Sequence, residues 1–221
     1  MSTFDVIFWI LLLVVLLVST RIATKREKKF AVSKNQFIAK YSFIEEGCVY
    51  SEISKHGFSL IDRASGSYGD YEATNVLRKL KDNDEFFIFD FQFTPKHADK
   101  STASKLATIR AVLIKVKNRE LFNFELLPES VFEKIKQVFG SCDIDFEKYP
   151  NFSKKYVLKS SEPDILKKTF PETLIEYLEN KDGIFIEARK KCLLIYKAEG
   201  GEFADYESLY KDAESINNFL C

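Results

Sequence analysis

The longest uninterrupted apolar stretch of the chain lies near its start. Residues 6–18 read VIFWILLLVVLLV, without a polar position. Extended to Thr3 and Thr20, the stretch is 18 residues long with one charge, Asp5. As a helix rising 1.5 Å per residue it spans roughly 27 Å, close to a ~30 Å hydrocarbon core. It has no polar face of the kind a helix on a soluble core presents. A cleaved secretory signal carries a basic start and a small-residue cleavage site. Here the start is MSTFD, Val18-Ser19-Thr20 is a poor cleavage match, and no Cys follows as a lipobox requires. The pattern predicts one uncleaved N-terminal transmembrane helix over 3–20, a basic juxtamembrane linker over 21–30, and a domain over 31–221.

Periodicity then changes to two. Phe37, Ile38 and Tyr41 predict a short helix over 33–42, and DRASGSYGDY at 62–71 reads as a loop. Residues 73–81 and 85–94 predict strands joined by a turn at Asp82-Asn83-Asp84. In the second strand Phe87, Phe89, Phe91 and Phe93 share one face, and Phe86, Ile88, Asp90 and Gln92 the other. A polar hairpin loop over 95–105 leads to strands 106–117 and 121–127, an antiparallel meander without intervening helices. The second half predicts a helix over 129–139, helices starting near Pro163 and Pro171, a hairpin of 184–189 and 192–197, and a final helix over 205–220. In that last helix Tyr206, Leu209, Ala213, Ile216 and Leu220 form a buried stripe. The fold class is α+β: antiparallel sheet or sheets with helices packed on one side, in sub-lobes 31–127 and 128–221.

Charge adds a topology. The 33 basic and 33 acidic residues cancel over the whole chain. Between 21 and 29, however, Arg21, Lys25, Arg26, Lys28 and Lys29 oppose only Glu27, leaving +4. With Asp5 at −1, residues 30–221 carry −3. The positive-inside rule puts the N-terminus outside and the domain in the cytoplasm. The five cations are the expected contacts to anionic headgroups, at about 1 kcal/mol for each well-placed one. A mildly acidic domain is a poor non-specific nucleic-acid binder. Cys48, Cys142, Cys192 and Cys221 are scattered without a C-x-x-C, which excludes a zinc framework and suits a reducing compartment.

Few residues carry candidate chemistry. Asp143, Asp145 and Glu147 alternate, so an extended backbone would put all three on one face. An EF-hand starting at Asp143 would need Gly at 148 and Glu at 154, where Lys148 and Lys154 stand. Such a face could hold Mg²⁺ or Mn²⁺, but further ligands are not evident; with Ile144 and Phe146 inward the acids face solvent, and no metal or cofactor is expected. Asp90, the charge inside the Phe-rich strand, requires a partner if buried, such as Arg110 on the next strand. SGSYG at 65–69 is neither a nucleophile elbow nor a phosphate loop. A Ser or Cys nucleophile would need a base, and only His56 and His97 are histidines, neither in a recognisable constellation.

One string is distinctive. GSCDIDF at 140–146, followed by PNFSKKYVL at 150–158, resembles a G-x-x-D-I-D-F-x₃-P-x-F-S-x-x-Y-x-L pattern of a family of uncharacterised bacterial membrane-associated proteins. Phe124 to Glu129 resembles its F-x-L-x-P-E, and Phe89-Asp90 its F-D-Y. Ala98-Asp99-Lys100 stands where the family's Gly-rich loop is expected. The resemblance implies a bacterial inner-membrane location and assigns no activity or catalytic residue. The expectation is a single-pass anchored protein with a non-catalytic binding or scaffolding domain that meets a protein partner. A membrane-tethered enzyme using Asp90 or Asp143, Asp145 and Glu147 is the alternative, as is a structural subunit of a membrane complex.

Overall fold

A computed structural model describes residues 3–47, 49, 53, 55–58, 71–93, 107–130, 143–197 and 205–220. Side chains 3–8, 10, 11, 13, 14, 22, 23, 26, 27, 29, 71 and 107 lie outside that description. The chain divides into two compact units, 1–43 and 44–221.

The first unit is one helix, α1 (Thr3–Tyr41), of 39 residues. No Gly or Pro interrupts it, so it continues past the expected end of the anchor and includes the helix expected over 33–42. Ser19 and Thr20 bond back to the carbonyls of Leu16 and Leu17. Trp9, Leu12, Val15, Leu16, Leu17 and Val18 are 42% to 66% exposed. At 100° per residue these six positions surround the helix. Among the described residues no helix is long and apolar enough to cross a membrane. The apolar run also contains Val6, Ile7, Phe8, Ile10, Leu11, Leu13 and Val14, whose side chains are outside the description. The helix ends where Ser42 turns left-handed (φ 57°), and Phe37 packs on Tyr41 and Phe43 at ring distances of 5.0 Å.

The second unit is built on one eight-stranded antiparallel sheet. Its strands are β1 (Ile44–Glu45), β2 (Tyr71–Lys81), β3 (Asp84–Phe93), β4 (Ala107–Lys115), β5 (Leu121–Pro128), β6 (Tyr156–Ser160), β7 (Ile184–Lys190) and β8 (Cys192–Lys197). Their order is β1-β2-β3-β4-β8-β7-β5-β6. The helices between them are α2 (Pro150–Lys155), α3 (Pro163–Thr169) and α4 (Glu172–Glu179), with α5 (Tyr206–Phe219) last. The sheet runs across position 127/128, so both expected sub-lobes contribute strands to it. The β2–β3 turn has positive φ at Asp82 and Asn83, as a two-residue hairpin needs. The 95–105 loop and all but the start of the 129–139 helix lie outside the described residues.

β3 differs from its expected half-polar pattern, because residues 86–91 are buried on both faces. On one face Phe87, Phe89 and Phe91 join Leu113, Leu194 and Tyr196 beneath Val49, Ile53 and Phe58. On the other, α5 lays Tyr210 edge-on against Phe86, and Phe170 packs edge-on against Phe124. The described helices α4 and α5 therefore lie over that second face, as expected. The first face is covered as well, by Val49, Ile53 and Phe58.

Candidate functional site

Asp90 stands directly opposite Arg110 across β3 and β4. Arg110 donates from Nε to Oδ1 at 2.7 Å and from Nη2 to Oδ2 at 3.2 Å. Asn75, set at positive φ in the β2 bulge, donates to Oδ2 at 2.9 Å. The guanidinium also stacks 3.7 Å from the Tyr206 ring centroid. Both side chains are nearly inaccessible, at 3% and 2%. A buried carboxylate so fully engaged is a structural ion pair, the partner expected from the strand pattern. Both of its carboxylate oxygens accept from protein donors.

Asp143, Asp145 and Glu147 are exposed, while Ile144 and Phe146 are buried. This is the solvent-facing arrangement of the acids. Their segment closes the free edge of β6. Ile144 donates its N–H to the Leu158 carbonyl at 2.9 Å, and Asp143 Oδ1 accepts from the Leu158 N–H at 3.0 Å. Burial pushes the Asp143 carboxyl up, opposed by that Leu158 hydrogen bond. Ser153 Oγ accepts from the Phe146 N–H at 3.0 Å, and Phe152 packs on Phe146 and Tyr156. The distinctive string thus engages itself: its D, I, F, S, Y and L positions interlock around one sheet edge. Five strand steps separate β3 from β6, about 24 Å at the usual spacing. Asp90 and the 143–147 acids do not converge.

Other polar clusters were not anticipated. Asp212 of α5 is buried between two lysines, with Lys181 Nζ and Lys197 Nζ each 2.7 Å from a carboxylate oxygen. Tyr177 also donates to it. Burial pushes the Asp212 carboxyl up, but bonds from Lys181, Lys197 and Tyr177 outweigh it and hold the group below the usual range. Its position three residues after Leu209 and four before Ile216 placed it on the buried stripe, a signal readable in the sequence. On the opposite sheet face Glu187 is 1% exposed and accepts from Tyr196 Oη at 3.1 Å. It lies across from Glu125, and Arg189 pairs with that neighbour. Each cluster pairs opposite charges and ties strands or helices together.

The remaining juxtaposition is a thiol and an imidazole. Cys192 Sγ lies 3.2 Å from His56 Nε2. The chain thus brings a candidate nucleophile to a candidate base that the sequence left unpartnered. A surface cleft of about 370 Å³ lies elsewhere, between the 146–149 loop and the start of α4. Phe146 and Phe170 floor it, and Lys167 and Lys168 stand on its rim beside a Lys148–Glu172 ion pair of 2.8 Å. It contains no nucleophile–base pair. Among the described residues no group of three or more His, Cys, Asp or Glu could hold a metal ion.

The basic residues Arg21, Lys25 and Lys28 are exposed on α1. Arg21 and Lys25 are one turn apart and Lys28 one turn further, so the three form a stripe along one face. The side chains of Arg26 and Lys29 lie outside the description. Comparison with protein-family models, curated proteins and solved structures finds no match to this chain.

Proposed function

We propose that this is a single-pass membrane-anchored protein whose domain is a non-catalytic binding or scaffolding module. Residues 3–20 span the bilayer, Arg21, Lys25, Arg26, Lys28 and Lys29 meet anionic headgroups, and the domain lies on the cytoplasmic side. The observation that carries the reading is the ring of exposed apolar side chains from Trp9 to Val18. A helix apolar on every side, with those side chains uncovered, is stable in lipid and costly in water. The resemblance of the 140–158 string to bacterial membrane-associated proteins agrees with it.

The non-catalytic half of the reading rests on the buried carboxylates. Asp90 and Asp212 are engaged by cations, and Glu187 is bonded to Tyr196. An enzyme using Asp90 together with the 143–147 acids would need them in one cleft, about 24 Å closer than the strand order allows. The test is alkaline extraction of membranes from cells expressing the full chain and a form lacking residues 1–20. The full chain stays with the membrane pellet and the truncated form is released. Extraction of the full chain at high pH overturns the anchor, and turnover of phosphate esters, lipids or peptides by the purified protein at enzyme-like rates overturns the rest.

A further inference from the structure

Cys192 opens β8 immediately after the Lys190-Lys191 turn. Its side chain is 1% exposed, whereas His56, 3.2 Å away, is half-buried. The antiparallel register sets Lys115 of β4 and Arg189 of β7 directly opposite Cys192. The three side chains therefore leave one face of the sheet about 5 Å apart. Lys115 is 3.4 Å from Glu85 of β3, and Arg189 pairs with Glu125 of β5 and lies 3.8 Å from Glu187. A nucleophile within hydrogen-bond reach of a base is the setting in which a thiol becomes a thiolate.

We propose that Cys192 and His56 form a reactive thiol–imidazole pair that takes small, uncharged, soft electrophiles of the α,β-unsaturated carbonyl class. The thiol proton passes to His56 Nε2. The sulfur electron pair forms a C–S bond to the β-carbon as the C=C π bond breaks, and the resulting enolate takes the proton back at its α-carbon. The adduct is a thioether; no oxidant, reductant or leaving group takes part. The half-buried imidazole is the thiol's outer cover, and rotation of such a ring takes picoseconds to nanoseconds. Phe58, Ile53 and Val49 are buried in the same apolar cluster as Cys192. A charged reagent would have to shed its hydration there, which selects for uncharged ones.

The probe is N-ethylmaleimide, applied to the full chain in mild detergent with Cys48→Ser, Cys142→Ser and Cys221→Ser. Mass spectrometry of the Cys192 peptide gives the rate as a function of pH. The folded chain is expected to react with an inflection below that of the same chain unfolded in guanidinium, whose thiol titrates near ~8.5. His56→Gln should lower the rate at about pH 6.5 at least ~tenfold and return the inflection to the unfolded value. Adduct formation only on unfolding, coincident folded and unfolded profiles, or an unchanged profile in His56→Gln overturns the proposal. If His56→Gln does not fold by circular dichroism, the comparison of folded and unfolded profiles decides alone.

Discussion

Two stretches of similar hydrophobicity have opposite fates in this molecule. In β3, Phe86 to Phe91 are buried on both faces, including the one charge among them. In α1, Trp9, Leu12 and Val15 to Val18 stay open on every side. The strand satisfies its apolar surface within the chain, between Val49, Ile53 and Phe58 on one side and α5 on the other. The helix leaves those apolar side chains about half exposed. Composition alone does not separate the two cases. Neighbours in sequence do: β3 alternates with turns and further strands, while 6–18 is bounded by polar ends and a basic stripe.

The comparison breaks most easily in the helix. Leu12→Arg with Leu16→Arg should cost about 5–7 kcal/mol of insertion, at ~2.5–3.5 per central cation. The expected result is release of the protein from membranes in alkaline extraction. Retention would mean that the apolar run is not what holds the protein there. In β3 the corresponding change is Asp90→Ala, which leaves Arg110 buried without its carboxylate. It should destabilise the domain by about 3–5 kcal/mol, read as a fall in the urea midpoint of the full chain in detergent. A change below about 1 kcal/mol would show that the pair is not buried as described.

Asp212 sharpens the contrast through pH. Its folded-state pKa lies below the ordinary carboxylate value, because bonds from two lysines and Tyr177 exceed the cost of burial. The unfolded chain therefore takes up the proton first as pH falls. The stabilisation is present above the ordinary carboxylate range and is lost as pH falls through the folded pKa. Asp212→Asn should lower stability at neutral pH by about 1–3 kcal/mol and flatten the acid limb below about pH 4. An acid limb of unchanged slope would contradict the ion-pair account. Smallest of all, Asp145→Asn and Glu147→Gln should stay within about 0.5 kcal/mol, since both side chains face water.

The strand pattern revealed much of the domain. Alternation located β2 to β5 and the β7–β8 hairpin, and it made Arg110 the natural partner of Asp90. It did not reveal that β3 is covered on both faces, because Val49, Ile53 and Phe58 cover one and α5, more than 110 residues further along, covers the other. β6 was read only as part of a string. It follows α2 at Tyr156 with no turn residue to mark the boundary. The candidate acids at 143–147 were legible as a row and also as the solvent side of an edge segment, and the structure has the second. The His56–Cys192 contact spans 136 residues and is set by strand register, which no local periodicity encodes. Asp212 was legible in principle, since it interrupts an apolar helix stripe at a core position.

Trp9 is the chain's single tryptophan and lies inside the apolar run, so its emission tests the proposed anchor without substitution. The full chain reconstituted in phospholipid vesicles should emit at a blue-shifted wavelength. Lipids brominated on the acyl chain should quench it, and aqueous iodide should not. Red-shifted emission quenched by iodide and unaffected by brominated chains would contradict a membrane-spanning segment at residues 3–20.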